Sequence, residues 1–163
     1  MKSRISMSLA LAISFALGMA VERTRGQTQK EDARATGIGG VFFKARNPQA
    51  LAAWYREHLH IALDAAGSGV NAPAFHAFEW AEKTEPQKAG ATVFAIFPEK
   101  STYFDPSKAP FMINFRVANL DRLRAELKKE GVVVDDTVSD ESNGRFGWAT
   151  DAEGNRLELW EPK

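Results

Sequence analysis

The chain contains no cysteine. Thiolate nucleophiles, disulfide cross-links and cysteine zinc sites are therefore excluded by inventory. Imidazole is nearly as scarce, with only His58, His60 and His76 available as nitrogen ligands. Nor is there a surplus of either charge, because 21 Lys plus Arg balance 21 Asp plus Glu. A neutral chain lacks the long-range field with which nucleic-acid binders neutralise phosphates, so nucleic acid is not an expected partner. No low-complexity tract argues for disorder, and 44% hydrophobic with 10% aromatic residues supports a packed body. With the first 36 of the 163 residues set aside, the remainder has the length of one domain.

Those first residues read as an address. Lys2 and Arg4 precede an uncharged run of 17 residues from Ile5 to Val21. This exceeds the usual apolar core of a secretory signal, about 7 to 15 residues, and sits at the lower bound for a spanning helix, about 17 to 25. Two readings stay open: a signal peptide over 1–21, with small residues for cleavage at Gly18 and Ala20, or a membrane anchor through residues 5–21. The protein is thus expected to be exported, periplasmic or extracellular, or else membrane-anchored. Residues 22–36 mix charges with Thr, Gln and Gly, lack an apolar period, and read as a solvated linker.

From Gly37 the chain repeats itself once. GGVFFKARNPQAL (Gly39 to Leu51) aligns with FMINFRVANLDRL (Phe111 to Leu123) at a constant offset of 72 residues. Each copy has an alternating strand, an Asn suited to cap a helix (Asn47, Asn119), and a helical period. The first helical stripe is Leu51, Trp54, Tyr55 and His58; the second is Leu120, Leu123, Leu127 and Glu130. Pro48 suits a first helical position, where the amide has no internal partner. His60 stands where a helix-terminating glycine is natural, as Gly131 does in the second copy.

Three strand candidates follow each helix: Ile61–Ala65, Ala74–Trp80 and Thr92–Phe97, then Val132–Thr137, Phe146–Thr150 and Arg156–Trp160. Glycines and Pro86 punctuate them as turns require. The expected fold class is α+β: two βαβββ repeats, 37–100 and 109–163, joined into one curved eight-stranded mixed sheet with helices on the convex side. On the last strand, alternation sends Leu157 and Leu159 to one face and Arg156, Glu158 and Trp160 to the other. If the leucines meet the helix layer, Glu158 stands in the concave cleft.

These motifs, with FGWATDAEGNRLELWEPK (Phe146 to Lys163), resemble the vicinal-oxygen-chelate superfamily, the fold of glyoxalases, bleomycin-resistance proteins and extradiol dioxygenases. The likeness covers Gly37 to Lys163. It implies metal ligands on the first and last strand of each unit. Carried over residue by residue, those positions fall on Gly40, Phe94, Met112 and Glu158, so only Glu158 supplies a usual donor. One carboxylate cannot hold a divalent ion against water, since such sites need three or four protein donors. The chain is therefore read as a member without the usual metal centre, a divalent metal bound through other ligands being the alternative. A homodimer is implied by the resemblance alone.

The expected site is a small-molecule cleft. Alternation places Phe42, Met112, Asn114, Arg116 and Trp160 on the concave face beside Glu158, with Phe94 from the fourth strand, while Trp148 is a candidate for its rim. His76 alternates with Phe75 and Ala77 and either faces the cleft or packs as a core histidine. Tyr103 is a further rim candidate. Glu158 is either a base whose charge is disfavoured by apolar walls, a ligand anchor, or half of an ion pair with Arg116 or Arg145. Binding of a small, partly aromatic or amphipathic molecule is the leading reading, and a lyase or isomerase, metal-dependent or using Glu158 as base, is the rival. Export with cleavage predicts that protein recovered from its own host lacks Met1 and begins beyond the Gly18–Ala20 region. N-terminal sequencing that finds the whole chain in the membrane fraction would identify an anchor, and the whole chain in the cytosol would overturn both.

Overall fold

The structure, a computed structural model, describes residues 33–81 and 89–163. The leader, residues 22–32 of the linker and the Pro86 turn lie outside the described residues. β1 (Ala35–Ala45) starts two residues before Gly37, because Thr36 already bonds across to the Arg116 carbonyl at 3.1 Å. α1 (Pro48–Leu59) opens with Asn47 Oδ1 accepting from the Ala50 N–H at 3.0 Å, and Pro48 occupies its first turn. β2 (Asp64–Ala65), β3 (Ala74–Ala81) and β4 (Ala89–Pro98) complete the first unit. The second comprises β5 (Phe111–Val117), α2 (Leu120–Lys129), β6 (Val133–Glu141), β7 (Gly144–Thr150) and β8 (Arg156–Pro162). Asn119 caps α2 as Asn47 caps α1, accepting from the Arg122 N–H at 3.0 Å.

All eight strands form one sheet in the order β2-β3-β4-β1-β5-β8-β7-β6. Each unit has one parallel pair, β1 with β4 and β5 with β8, and its other pairs are antiparallel. The units join where β1 runs antiparallel to β5, setting Gly40 opposite Asn114 and Phe42 opposite Met112. This is the α+β arrangement of two βαβββ repeats expected from the internal alignment.

Each helix covers one half of the sheet. Under α1, Ala52, Leu63, Ala74 and Ile96 are buried, with Leu51 and Tyr55 packed over them. Ile96 has no exposed surface, and its burial contributes about 2 kcal/mol. Under α2 the equivalent cluster is Val117, Leu120, Ala149 and Leu159. Leu159 thus faces the helix layer, and its neighbour Glu158 faces the other way.

Three local readings require correction. The α1 stripe is narrower than its periodicity implied: Trp54 is 48% exposed and meets the His58 ring at a tilt, 4.8 Å between centroids, outside the core. β2 is two residues long instead of spanning Ile61–Ala65, because the Ile61 N–H donates to the Tyr55 carbonyl at 3.2 Å and Leu63 is drawn under the helix. β6 extends to Glu141, with a register irregularity between Val134 and Val138.

His60 terminates α1 with φ 55° and ψ 28°, a left-handed conformation that penalises a residue with a Cβ. Gly131 holds the corresponding place after α2, at φ 83°. His60→Gly is therefore expected to stabilise the fold by about 1 kcal/mol. An unchanged or lower denaturation midpoint would mean that the His60 side chain contributes something its exposed position does not reveal.

Candidate functional site

On the face away from the helices, the sheet and the segment linking the two units enclose a cavity of about 530 Å³, within the range of small-molecule sites, about 300 to 1,000 Å³. Phe42, Phe75, Phe97, Phe146 and Trp160 form its walls. Glu158, Asn114 and Tyr103 supply its acid, amide and phenol.

Neighbouring strands bring the first two together. β5 and β8 pair with Asn114 opposite Glu158, so their side chains rise from the same side of the sheet. Asn114 Nδ2 lies 2.5 Å from Glu158 Oε2. The third group comes from elsewhere: Tyr103 belongs to a short 3-10 turn, Thr102–Phe104, in the linker between the units. Its O–H donates to Glu158 Oε1. Its ring, 39% exposed, stacks on Phe97 at 5.3 Å and meets Trp148 edge-on at 6.1 Å. The Trp148 indole N–H is buried nearby without a hydrogen-bond partner.

Glu158 is 2% exposed. Loss of hydration raises its pKa above the ordinary 4.5, against the opposing pull of hydrogen bonds from Tyr103 and Asn114. The Tyr103 hydroxyl is also pushed up, first by burial of its polar end and then by the neighbouring carboxyl. Neither ion pair expected for Glu158 forms. Arg145 binds Asp121 at 2.8 Å and Glu161 at 3.4 Å, while Arg116 bonds to Thr36 and lies over the Trp80 ring at 4.3 Å.

The structure assembles only part of the expected site. Phe42, Asn114, Glu158 and Trp160 line the cavity together. Met112 and Trp148 lie on the same face but are packed beneath it with Phe42, Ala95 and Phe104. Arg116 faces an adjoining polar hollow of about 880 Å³ on the far side of Trp160. Phe94 and His76 are on the helix side. Phe94 meets Tyr55 edge-on at 5.1 Å. His76 pairs with Phe94 across the strands, and its Nδ1 donates to the Ala62 carbonyl at 2.9 Å. The cause is a one-residue slip in β4: Phe42 pairs with Ala95 as its repeat counterpart Asn114 pairs with Glu158, so Ala95 holds the place assigned to Phe94.

Sequence periodicity missed the role of Tyr103, since it lies in a non-repeating linker whose direction no alternation specifies. The first-strand donor corner is also closed. A register shift between Ile38 and Gly40 marks a bulge. A Cβ added at Gly39 would lie 2.1 Å from Asn114 Oδ1 and 2.8 Å from the Trp160 ring; at Gly40 it would lie 2.6 Å from Phe42. Asn114, Trp160 and Phe42 thus occupy the room an imidazole would need. Among the described residues, no three acidic or imidazole side chains are grouped to hold a metal ion.

Two βαβββ units around a shared cleft define the vicinal-oxygen-chelate architecture. Residues 40–160 match the family described as glyoxalase-like domain, and the chain belongs to it. No curated protein matches the chain in sequence. Among solved structures, the fold is similar to methylmalonyl-CoA epimerase from Mycobacterium tuberculosis, at 21% identity and TM-score 0.52, over 79% of this chain and 89% of that one. It is also similar to a variant of the Streptomyces coelicolor methylmalonyl-CoA epimerase in complex with 2-nitronate-propionyl-CoA, at 19% identity and TM-score 0.56, over 79% of this chain and 99% of that one. At these identities the likeness concerns the fold.

The raised pKa of Glu158 has a consequence for stability. A carboxyl that binds its proton more tightly in the folded state stabilises the fold fully below its unfolded pKa. That contribution is lost as pH rises through the folded value. Denaturant titrations should show the wild type losing stability from about pH 4.5 upward relative to Glu158→Gln, with the two alike in more acidic solution. Parallel curves across this range would contradict the buried, unpaired state of the acid.

Proposed function

We propose that this protein is an exported member of the glyoxalase-like family that binds a small organic molecule in its cleft without a resident metal. One observation carries the reading: an apolar cavity of about 530 Å³ walled by Phe42, Phe75, Phe97, Phe146 and Trp160 has its polar groups gathered at Glu158, Asn114 and Tyr103. Apolar walls drive uptake through desolvation, and the few polar groups orient what enters. The donor set argues against a resident divalent ion. Gly40 and Met112 hold first-strand positions and Ala95 a last-strand position, leaving Glu158 alone. Export rests on the charged and apolar leader, Lys2 to Val21.

A lyase or isomerase in which Glu158 takes a proton beside a carbonyl is the second reading, favoured by an ionisable group within an apolar cleft. It is the weaker of the two. Burial disfavours the ionised form a base requires, and both carboxyl oxygens are already engaged by Tyr103 and Asn114.

Elemental analysis of protein purified from its own host is expected to find no stoichiometric zinc, nickel, manganese or iron; one such ion per chain would overturn the metal-free reading. The neutral fluorophore N-phenyl-1-naphthylamine should bind in the cleft. Ala77 lines the cavity from an exposed position on β3, so Ala77→Trp should weaken that binding about tenfold or more while leaving the circular dichroism spectrum intact. Undiminished affinity would remove the cavity as the binding site.

A further inference from the structure

We infer that the ligand is a neutral molecule with an apolar body and a hydrogen-bond acceptor, typically a carbonyl oxygen, and that the Tyr103, Glu158 and Asn114 floor meets this acceptor with a donated hydrogen. The inference rests on the cleft-binding reading above and specifies the chemistry the cleft selects.

A count of hydrogens leads to it. Tyr103 carries one, the Asn114 amide two, and Glu158 none when ionised or one when neutral. Around an ionised carboxylate, the Tyr103 O–H and an Asn114 N–H are both turned inward, onto Oε1 and Oε2. What Asn114 then turns away is its Oδ1, a buried acceptor with no partner. That floor offers a carbonyl at most the second Asn114 N–H. When Glu158 is neutral and both contacts are kept, its extra hydrogen is accepted by one of the same two neighbours. If it goes to Asn114, the amide turns over and both N–H groups point toward Gly39 and Trp160. If it goes to Tyr103, the phenolic O–H is released. In either case the cavity gains one donor more than the ionised floor presents, and both candidate donors belong to residues that line it.

The geometry favours the turned amide. The 2.5 Å separation of Asn114 from Glu158 is the length of an O–H···O bond and shorter than an ordinary N–H···O bond. The outward amide atom and the Trp160 ring both lie close to the point a Gly39 Cβ would occupy, at 2.1 and 2.8 Å.

Of the charged groups around the acid, Arg156 pulls toward the ionised form, and burial outweighs it. On β8, Arg156 bonds to the Asp105 carbonyl and to Asp135 at 2.6 Å and lies over the Trp148 ring. On β5, Arg116 is held by Thr36 and Trp80; on β7, Trp148 faces the acid and Arg145 is paired with Asp121 and Glu161. The 3-10 turn contributes Tyr103. β1 and β4 offer Gly39, Phe42 and Ala95, none of which titrates.

Three probes of nearly equal size separate the possibilities: ethylbenzene, acetophenone and 1-phenylethanol. Their binding to the full chain would be measured by competition with N-phenyl-1-naphthylamine from about pH 5 to about pH 9, the span over which buried glutamates titrate. In acid, acetophenone should bind about fivefold tighter than ethylbenzene, the effect of one hydrogen bond, and the preference should fade as pH rises. 1-Phenylethanol, both donor and acceptor, should lose less. Glu158→Gln, which cannot ionise yet still offers an amide hydrogen, should retain the acetophenone preference at every pH. The wild-type pH series decides the matter even if that variant fails to fold. Ethylbenzene binding with acetophenone no tighter at any pH would overturn the inference and leave the cavity reading standing, as would a preference that ignores pH in the wild type. Failure of all three probes would overturn the cavity reading, and this inference with it.

Discussion

The antiparallel pairing of β1 with β5 is the constraint on which the rest of the molecule depends. Neither half-sheet alone has a cleft, because a helix covers one face of each and the other face is open. Joined through this seam, the two open faces become the walls of one cavity. The seam also sets the distances inside it. Asn114 is placed opposite Gly40 on one side and Glu158 on the other, and the absence of a Cβ at Gly39 leaves room for the Asn114 amide and the Trp160 ring. A larger residue at Gly39 would collide with the groups that define the floor.

Within that enclosure the chemistry is governed by what surrounds Glu158. A carboxyl removed from water and denied a cation is expensive to ionise. Here the nearby guanidinium groups are bonded to other partners, so a carboxylate would rest mainly on hydrogen bonds from a phenol and an amide. Such an acid is better suited to sharing or donating a hydrogen than to acting as a strong base. Its surroundings are the opposite of a metal site, where several anionic or imidazole donors converge and the ion compensates their repulsion. In this chain the corresponding corners hold glycine, methionine and alanine, and the volume is taken up by Phe42, Asn114 and Trp160.

Much of this was legible from local pattern. The 72-residue offset exposed the duplication, and Asn47 and Asn119 marked both helix starts because a cap needs only an oxygen three residues before a free amide. His60 and Gly131 marked both ends. The leucines of the last strand reported which face met the helix, which placed Glu158 on the cleft side. By contrast, Phe94 was set on the wrong face, and His76 was left open between the cleft and the core. In β4, Val93 to Pro98 is apolar on both sides, and a strand without polar alternation carries no sign of which residues point inward. Trp54 was drawn into the helical stripe because an aromatic at the right spacing looks like core, although the stripe is too narrow to bury it.

The sequence by itself determined the elements, their order, the duplication and the orientation of the final strand, since all of these follow from short-range periodicity and capping. Tertiary structure alone decided the β4 register, the closing of the Gly39 corner and the contact of Tyr103 with Glu158 across 55 residues. Periodicity says how a side chain alternates along its own strand. It cannot say which partner residue lies alongside, or where a linker without a period will send its one phenol.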